Sequence, residues 1–235
     1  MKNESQWKPT KYEYRKGRLR ANKDYVGDRS IFIADIVAGL YDNWIKQTAR
    51  GNLLDLGCGT VPFYESYKPY VKTITCMDWE NCTHDINHID KAVDLNIADF
   101  PANSYDTIIL SDVLEHIYKP HQLLERIYNS LKQNGILLLN TPFTYWEHEV
   151  PYDYFRYTRY WYERTAKEIG FEIINITAIG NDNYAVMIDI LSKTLEQKNT
   201  WYDRVLLRLI KCLRKHNKSV CLNEPLGYFA VLKKK

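Results

Sequence analysis

Apolar residues occur along this chain in two patterns that alternate from end to end. Short runs rich in Leu, Ile and Val are typical of strands buried on both faces, and they predict seven strands, at 52–56, 71–77, 92–95, 105–110, 136–140, 171–179 and 225–232. Apolar residues at helical spacing predict helices from Ile31 and over 120–132, and two further helices are predicted from about Pro62 and over 158–169. Strands that alternate with helices predict an α/β fold, with a doubly wound sheet.

The turn after the first predicted strand is the part of this pattern that points most directly to a ligand. Residues 53–60 read Leu-Leu-Asp-Leu-Gly-Cys-Gly-Thr. Gly57 and Gly59 can adopt positive φ and let a ligand lie directly against the backbone. Pro62 stands where a dinucleotide-binding turn needs a third glycine, which disfavours a pyrophosphate ligand. Asp55 instead suits a ligand that carries positive charge or hydrogen-bond donors.

This stretch resembles the first motif of the class I S-adenosylmethionine-dependent methyltransferases. The resemblance implies a Rossmann-like, seven-stranded, mostly parallel sheet whose last strand is antiparallel, and S-adenosylmethionine as the cofactor. Asp78 follows Asp55 by 23 residues, where a carboxylate offers two acceptor oxygens to the ribose hydroxyls. In the family, a residue at the end of the third strand accepts a hydrogen bond from the adenine amino group, and an apolar neighbour covers the ring. The predicted cofactor-binding residues are therefore Asp55, Gly57, Cys58, Gly59, Asp78, Trp79, Asp94, Leu95 and Ser111.

A second motif follows the fourth predicted strand. Residues 111–117 read Ser-Asp-Val-Leu-Glu-His-Ile and resemble the fourth motif of the ubiquinone-biosynthesis-like group of these methyltransferases. Because ligands in open α/β sheets bind beyond the carboxyl ends of the strands, this segment is expected to line the site. Asp112 and His116 are therefore catalytic candidates. Asp112, Glu115 and His116 also have the spacing of a metal-binding cluster, but our prediction is a site without a metal.

The segment 141–160, after the fifth predicted strand, is too long and too aromatic for a simple connection. It resembles a pattern of His, Pro-x-Asp-Tyr and Arg-Tyr-Thr found in methyltransferases encoded beside bacterial surface-polysaccharide and glycolipid enzymes. The resemblance implies a glycan or glycolipid acceptor. The predicted substrate-binding residues are Tyr145, Asp153, Tyr154 and Arg156. The alternative, which the sequence leaves open, is that Asp153, Arg156 and Thr158 only order and cap the next helix.

His148, in the same segment, is the favoured catalytic base. Methyl transfer from a sulfonium needs alignment and exclusion of water more than covalent help. A hydroxyl acceptor must also lose its proton, and a histidine with a pKa near neutrality suits that task. The alternative is a histidine that is hydrogen-bonded within an ordered loop and has no part in the chemistry.

Two regions flank or interrupt the predicted domain, which spans 51–235. Residues 1–50 form a basic, aromatic arm followed by a helix; the arm is either solvated or folds over the pocket and supplies Arg18 or Arg20 to an anionic group. Residues 181–223 form a helical insertion before the last strand. Its second helix, 201–216, combines an apolar stripe with basic residues, which fits peripheral membrane contact, an ordinary lid or a homodimer contact.

The composition of the chain disfavours several classes of protein but does not identify a binding partner. The chain has 235 residues, 32 basic and 29 acidic, for a net charge of +3, which is far from the excess expected of a dedicated nucleic-acid binder. Five scattered cysteines suggest neither a disulfide framework nor a zinc site, so we expect a reducing, cytoplasmic location. No Asn-Pro-Pro-Tyr signature follows the fourth strand, so DNA is not an expected acceptor.

These observations predict a methyltransferase that transfers the methyl group of S-adenosylmethionine to oxygen on a sugar, a glycolipid or another small-molecule hydroxyl. Three alternatives stay open at this point: another acceptor such as a phenol, RNA or protein; a nicotinamide-dependent oxidoreductase; and a non-catalytic binding protein with the same fold. The intact set of Asp55, Gly57, Gly59 and Asp78 disfavours the last of these.

Overall fold

The computed structural model describes residues 1–28, 30–80, 87–197, 200–216 and 224–235. Cys82, Cys221 and the predicted end of the insertion at 217–223 lie outside the described residues. The described residues form nine strands: β1 Tyr12–Arg15, β2 Arg18–Ala21, β3 Gly51–Leu56, β4 Val71–Asp78, β5 Lys91–Ala92, β6 Tyr105–Ser111, β7 Leu131–Pro142, β8 Phe171–Ile179 and β9 Gly227–Lys234. The α-helices are α1 Ile31–Thr48, α2 Tyr64–Tyr67, α3 Pro120–Ser130, α4 Arg159–Ile169, α5 Asn183–Gln197 and α6 Trp201–His216.

Seven strands form one sheet in the order β5-β4-β3-β6-β7-β9-β8. β9 runs antiparallel to both of its neighbours, β7 and β8, whereas the pairs on the β5-to-β7 side are parallel. The predicted seven-stranded, mostly parallel sheet with an antiparallel last strand is confirmed. The strand order reverses direction at β3 and β6, and ligands in open α/β sheets bind at such a point, beyond the carboxyl ends of the strands.

Apolar side chains cover both faces of the sheet. Successive residues of a strand point to opposite faces. In β3, Leu53 belongs to the core that packs against α1 and contains Tyr41 and Ile45, whereas Leu54 belongs to the core with Leu123 and Leu124 of α3. All six side chains are buried. The continuous apolar runs in the sequence therefore reflect strands that are covered on both sides.

The third predicted strand, 92–95, is shorter than expected and lies earlier. β5 consists of Lys91 and Ala92 alone and pairs with the end of β4. The chain then turns, because the Asp94 carboxylate accepts hydrogen bonds from the backbone and side-chain amides of Asn96, both at 2.9 Å. An aspartate that satisfies backbone donors two residues on favours a turn over a strand.

The fifth predicted strand, 136–140, is longer than expected. β7 begins at Leu131, directly after α3, and the Asn134–Gly135 turn lies inside it as an irregularity where Asn134 has a φ of 62°. The register against β6 shifts there, with Tyr105 opposite Leu131 and Thr107 opposite Ile136. The turn residues therefore bend the strand without ending it.

The N-terminal arm folds into a hairpin, β1 and β2, which the sequence did not predict. Tyr12 and Leu19 are each 1% exposed and belong to the core around α1. Arg20 pairs with Asp35 of α1 at 2.8 Å, and neither Arg18 nor Arg20 lines the cavity described below. The arm does reach that cavity, but through Lys11 and Tyr12.

The insertion between β8 and β9 forms two helices, α5 and α6, as predicted over its described part. Within the described residues, no helix combines the length and the apolarity needed to cross a membrane.

Candidate active site

A cavity of about 460 Å³ opens beyond the carboxyl ends of β3, β6 and β7. The loop after β3, the segment after β6 and the segment after β7 each contribute to its lining, and the N-terminal arm lies against it. Among the predicted site residues, those that line the cavity are Asp55, Gly57, Cys58, Gly59, Ser111, Asp112, Tyr145 and His148. Both sequence motifs and the aromatic segment therefore meet at one site.

The glycine loop has the backbone conformation that its sequence predicted. Gly57 and Gly59 have φ angles of 64° and 52°, in the left-handed region that favours glycine. A Cβ placed on Gly57 would lie 2.2 Å from Cγ2 of Val113, so the loop packs closely against the segment that follows β6. Cys58, between the two glycines, is buried and lines the cavity.

Asp78, at the end of β4, holds this loop in place. Its Oδ2 atom accepts a hydrogen bond from the Gly59 amide at 2.5 Å, and its Oδ1 atom accepts one from the Trp79 amide at 2.7 Å. Trp79 packs edge-on against Tyr152, with 5.1 Å between ring centroids. The predicted contacts of Asp78 and Trp79 with a cofactor stay predictions.

Asp94 and Leu95 are not among the residues described as lining this cavity. Asp94 caps the turn after β5, and Leu95 is 6% exposed in the core beneath it, where its carbonyl accepts a hydrogen bond from Arg126. Their proposed contact with adenine stays a prediction.

Asp55 is a buried acid in β3, two residues before the glycine loop begins. It is 2% exposed, lines the cavity, and accepts a hydrogen bond from the Tyr67 hydroxyl at 3.2 Å. Burial raises the pKa of its carboxyl to about 7; the bond from Tyr67 opposes this rise and the charge of Asp78 adds to it. The carboxyl is therefore poised to ionise when a cationic group enters the cavity.

A pH dependence of ligand affinity follows from this. S-adenosylhomocysteine carries a cationic amino group, and we expect its affinity to rise by about tenfold from about pH 6 to about pH 8, because below pH 7 most of Asp55 must lose a proton on binding. Calorimetric titration across this range measures the effect, and the Asp55→Asn variant should lose it. An affinity that is equally pH-dependent in the variant would contradict the assignment.

A partly buried hydrogen-bond network forms another wall of the cavity. Asn140 of β7 accepts hydrogen bonds from Tyr41 and Ser111, each at 2.9 Å, and donates to Asp112 at 2.5 Å. Lys11 donates to the other Asp112 oxygen at 3.2 Å. Asp112 has a φ of 52°, a conformation that costs free energy for a residue with a Cβ. The network therefore holds Asp112 in a strained position at the cavity.

Glu115, His116 and His148 form a cluster beside this network. Glu115 is fully buried, and neither of its carboxylate oxygens has a hydrogen-bond partner within the described chain. Its Oε1 atom lies 3.9 Å from Nε2 of His116 and 3.9 Å from Nε2 of His148. Glu115 and His148 line the cavity. An unpartnered buried carboxyl group is costly, which points to a role with a ligand or a proton.

The orientation of His148 leaves one ring nitrogen available. Its Nδ1 atom lies 3.2 Å from Oδ2 of Asp153 and 3.3 Å from the Trp146 carbonyl, both of which are acceptors. A neutral ring therefore carries its proton on Nδ1, and Nε2 presents its lone pair toward Glu115. The Asp153 carboxylate also accepts the His148 amide at 3.0 Å. Asp153 thus positions the imidazole.

Two pKa shifts distinguish the members of this cluster. Burial, followed by repulsion from His116, lowers the pKa of His148, so the ring is neutral near pH 7 and can accept a proton. Burial, followed by the charge of Asp112, raises the pKa of Glu115 well above its ordinary value. When His148 accepts a proton, its positive charge favours the ionised form of Glu115. The carboxylate in turn stabilises the protonated imidazole.

The same three side chains are also able to hold a divalent cation. One ligand atom from each of Glu115, His116 and His148 lies within 4.8 Å of the others. Imidazole nitrogens with one carboxylate are a ligand set that transition metals accept. His148 takes the place in this cluster that we predicted for Asp112, because the Asp112 oxygens are hydrogen-bonded to Asn140 and Lys11.

The predicted acceptor-binding residues divide into two groups. Tyr145 lines the cavity and stacks on Trp146, with 3.7 Å between ring centroids. Arg156 forms two hydrogen bonds to Asp153, at 2.5 and 2.7 Å, and one to the Trp146 carbonyl. The Tyr154 side chain lies 42% exposed outside the cavity. Asp153 and Arg156 therefore order the segment, as the alternative interpretation expected, and their contact with an acceptor stays a prediction.

Sequence reasoning missed Lys11, Tyr12, Tyr41 and Asn140. Lys11 and Tyr12 belong to a charged arm whose sequence has no hydrophobic periodicity that would predict its fold. Tyr41 stands at a position of α1 that any apolar residue of an amphipathic helix could occupy. The sequence did contain a signal for Asn140. It is a polar residue at the carboxyl end of an otherwise apolar strand, and ligands bind at that edge of the sheet.

Comparisons with known proteins agree with this geometry. Solved structures with the same fold include the [4+2]-cyclase SpnF, at 17% identity and a TM-score of 0.58 over 96% of this chain and 87% of that one. An S-adenosylmethionine dependent methyltransferase from Mesorhizobium loti shares 10% identity at a TM-score of 0.55, over 84% and 99% of the two chains. A SAM dependent methyltransferase from Archaeoglobus fulgidus shares 16% identity at a TM-score of 0.53, over 83% and 93%. At these identities the likeness shows the fold alone.

No curated protein matches the sequence significantly. A family model described as a methyltransferase domain matches residues 25–180, from the arm through β8. This match covers the glycine loop, the segment after β6 and the His148 segment. The chain therefore belongs to the methyltransferase domain family.

Proposed function

We propose that this enzyme transfers the methyl group of S-adenosylmethionine to a hydroxyl oxygen of a glycan or glycolipid. The observation that carries the proposal is the Glu115–His148 pair, a neutral imidazole beside a buried and unpartnered carboxyl group, in the same cavity as the glycine loop. Acceptors that lose a proton on methylation need such a base, whereas acceptors with a free lone pair and no proton to lose do not.

S-adenosylmethionine is the cofactor that the family and the site support. Asp55, Gly57 and Gly59 line the part of the cavity where a cationic ligand with hydrogen-bond donors fits. The missing third glycine disfavours the nicotinamide alternative, and the antiparallel β9 adds to that argument because it departs from an all-parallel dinucleotide-binding sheet.

The proposed reaction is an in-line displacement. The acceptor hydroxyl oxygen forms a bond to the methyl carbon while the bond from that carbon to sulfur breaks, and S-adenosylhomocysteine leaves as a neutral thioether. The hydroxyl proton passes to Nε2 of His148, which lies 3.9 Å from Oε1 of Glu115 in the lining of the cavity. Asp153 holds the ring through Nδ1, and Glu115 balances the charge that forms. The cavity aligns the reactants and limits their contact with water.

Two features support a glycan or glycolipid as the acceptor class. Tyr145 presents an aromatic ring at the cavity, stacked on the ring of Trp146, and aromatic rings pack well against sugar faces. The segment that carries them resembles the one in methyltransferases encoded beside polysaccharide and glycolipid enzymes. Phenol, RNA and protein remain the competing acceptors.

The test has two arms. Calorimetric titration with S-adenosylhomocysteine and with NADH should show binding of the first compound alone. Methyl-labelled S-adenosylmethionine is then incubated with lipid-linked glycans, free oligosaccharides and a catechol, and mass spectrometry locates the label. Label on a sugar oxygen supports the proposal. Label on the catechol alone would overturn the acceptor class, and binding of NADH without S-adenosylhomocysteine would overturn the cofactor.

The cytoplasmic location and the homodimer that the sequence suggested stay predictions.

A further inference from the structure

Helix α6 exposes a row of large apolar side chains on one face. Trp201, Tyr202, Val205, Leu206 and Leu209 are between 45% and 75% exposed. Tyr202, Leu206 and Leu209 lie one and two turns apart on the same side of the helix, with Val205 beside them. Five such residues on a single helix exceed the scattered apolar exposure of an ordinary surface.

The face of α6 next to this row is attached to the body of the protein. Ile210 is 4% exposed, and Arg214 bonds Asp182 before α5 at 2.8 Å and lies over the Phe32 ring of α1 at 5.1 Å. The helix is therefore held from one side. The apolar row faces outward as a consequence of this packing.

A cation-rich groove lies next to α6. It has a volume of about 770 Å³ and is formed by the N-terminal hairpin, the start of α1 and α6. Within the described part of the chain, six basic side chains and two acidic ones line it: Arg15, Lys16, Arg18, Arg20, Lys23 and Lys211, with Asp28 and Asp35. Arg208 and Lys215 add exposed positive charge on α6 itself. The chain as a whole has a net charge of only +3, so this side of the molecule concentrates its positive charge.

We propose that α6 and this basic groove dock the protein onto an anionic lipid bilayer, with the apolar row inserted at the level of the headgroups. A helix with an apolar row, a basic remainder and no capacity to span the bilayer is the form that lies in the interface plane. Phosphate-bearing headgroups supply the negative charge that the groove and α6 attract.

The charge pattern favours this occupant over a second copy of the chain. In a two-fold symmetric dimer each surface patch meets the same patch on its partner, so the basic residues of both copies would be brought together. Like charges placed opposite one another cost free energy. A bilayer rich in anionic lipid has the complementary sign.

The docking surface also lies on the side of the active site. α5 packs against α6, and Lys193 of α5 lies 4.8 Å from the Trp146 ring centroid and 5.4 Å from that of Tyr145. The helix pair thus joins the membrane-docking face to the segment over the cavity. The inference concerns the location of the enzyme and does not depend on which acceptor is methylated.

Vesicle co-sedimentation tests the proposal. We expect the full-length protein to bind vesicles of phosphatidylcholine with about 30% phosphatidylglycerol at least about tenfold more strongly than pure phosphatidylcholine, and to be released as NaCl rises from about 0.1 to about 0.5 M. Two variants should lose at least about tenfold in binding: Leu206→Gln with Leu209→Gln, and Arg208→Glu with Lys215→Glu.

Matched controls carry the same changes elsewhere on the surface. Ile174→Gln on β8 and Lys72→Glu on β4 alter exposed residues and should bind vesicles like the wild type. S-adenosylhomocysteine affinity, measured on every variant, shows that each one folds. Absence of binding to the anionic vesicles, or binding that both α6 variants retain, would overturn the proposal. So would a dimer in light scattering that Leu206→Gln with Leu209→Gln dissociates while no vesicle binding occurs.

Discussion

Replacement of His148 by alanine is expected to lower the rate constant for methyl transfer by at least about 100-fold, because the acceptor hydroxyl then has no base in reach. The affinity for S-adenosylhomocysteine should stay within about twofold of wild type, since the glycine loop is untouched. Single-turnover transfer from labelled S-adenosylmethionine measures the first quantity, and calorimetry measures the second.

Two further variants separate chemistry from structure. Glu115→Gln keeps the shape of the side chain and removes its ability to ionise beside a protonated His148, and it should lower the rate by about tenfold. Asp153→Asn weakens the acceptor that orients the His148 ring, and it should shift the pH profile of transfer as well as its rate. A His148→Ala enzyme with the wild-type rate would refute the base assignment.

Chelation distinguishes this mechanism from a metal-assisted one at the same cluster. If the site works without a metal, as predicted, treatment with EDTA should leave the rate of methyl transfer unchanged. A rate that EDTA abolishes and that added Mg²⁺, Mn²⁺ or Zn²⁺ restores would contradict the predicted metal-free site and make Glu115, His116 and His148 ligands.

Replacement of Gly57 by alanine has the second large expected effect. The new Cβ would lie 2.2 Å from Cγ2 of Val113, and the φ of 64° is unfavourable for alanine by about 1–2 kcal/mol before any contact is counted. Val113 is buried and directly precedes the 3-10 helix that carries Glu115 and His116, so relief of the clash moves the loop or this segment. We expect the dissociation constant for S-adenosylhomocysteine to rise at least about tenfold, with lower stability in urea.

Gly39→Ala is the matched control for this change. Gly39 lies on the exposed side of α1, and a Cβ there meets no atom within 4 Å. The same substitution should therefore raise the free energy of unfolding by about 0.5–1 kcal/mol and leave cofactor affinity unchanged. A Gly57→Ala protein that binds the ligand as tightly as Gly39→Ala would show that the loop tolerates a side chain.

Much of the fold was predictable because its determinants are local in the sequence. Runs of apolar residues marked the strands of the large sheet, since a strand covered on both faces must be apolar at successive positions. Gly57, Gly59 and the motif after β6 predicted the ligand edge, because backbone conformations that need glycine leave a direct trace in the sequence. Errors occurred at short or irregular elements such as β5, where the side chain of Asp94 ends the strand.

The sequence by itself thus determined the sheet, the position of the ligand edge and the candidate residues in each motif. Only the tertiary structure decided which of these residues meet. It placed Lys11 and Asn140 against Asp112, brought Glu115 within 3.9 Å of His148, and bonded Asp153 to Arg156. The residues that surround Asp112 and Glu115 come from segments distant in the sequence. Their proximity depends on strand order and on the packing of the arm and of the segment after β7. Hydrophobic periodicity along the chain does not predict contacts between distant segments. The side chains that meet at the site could therefore be identified only from the tertiary structure.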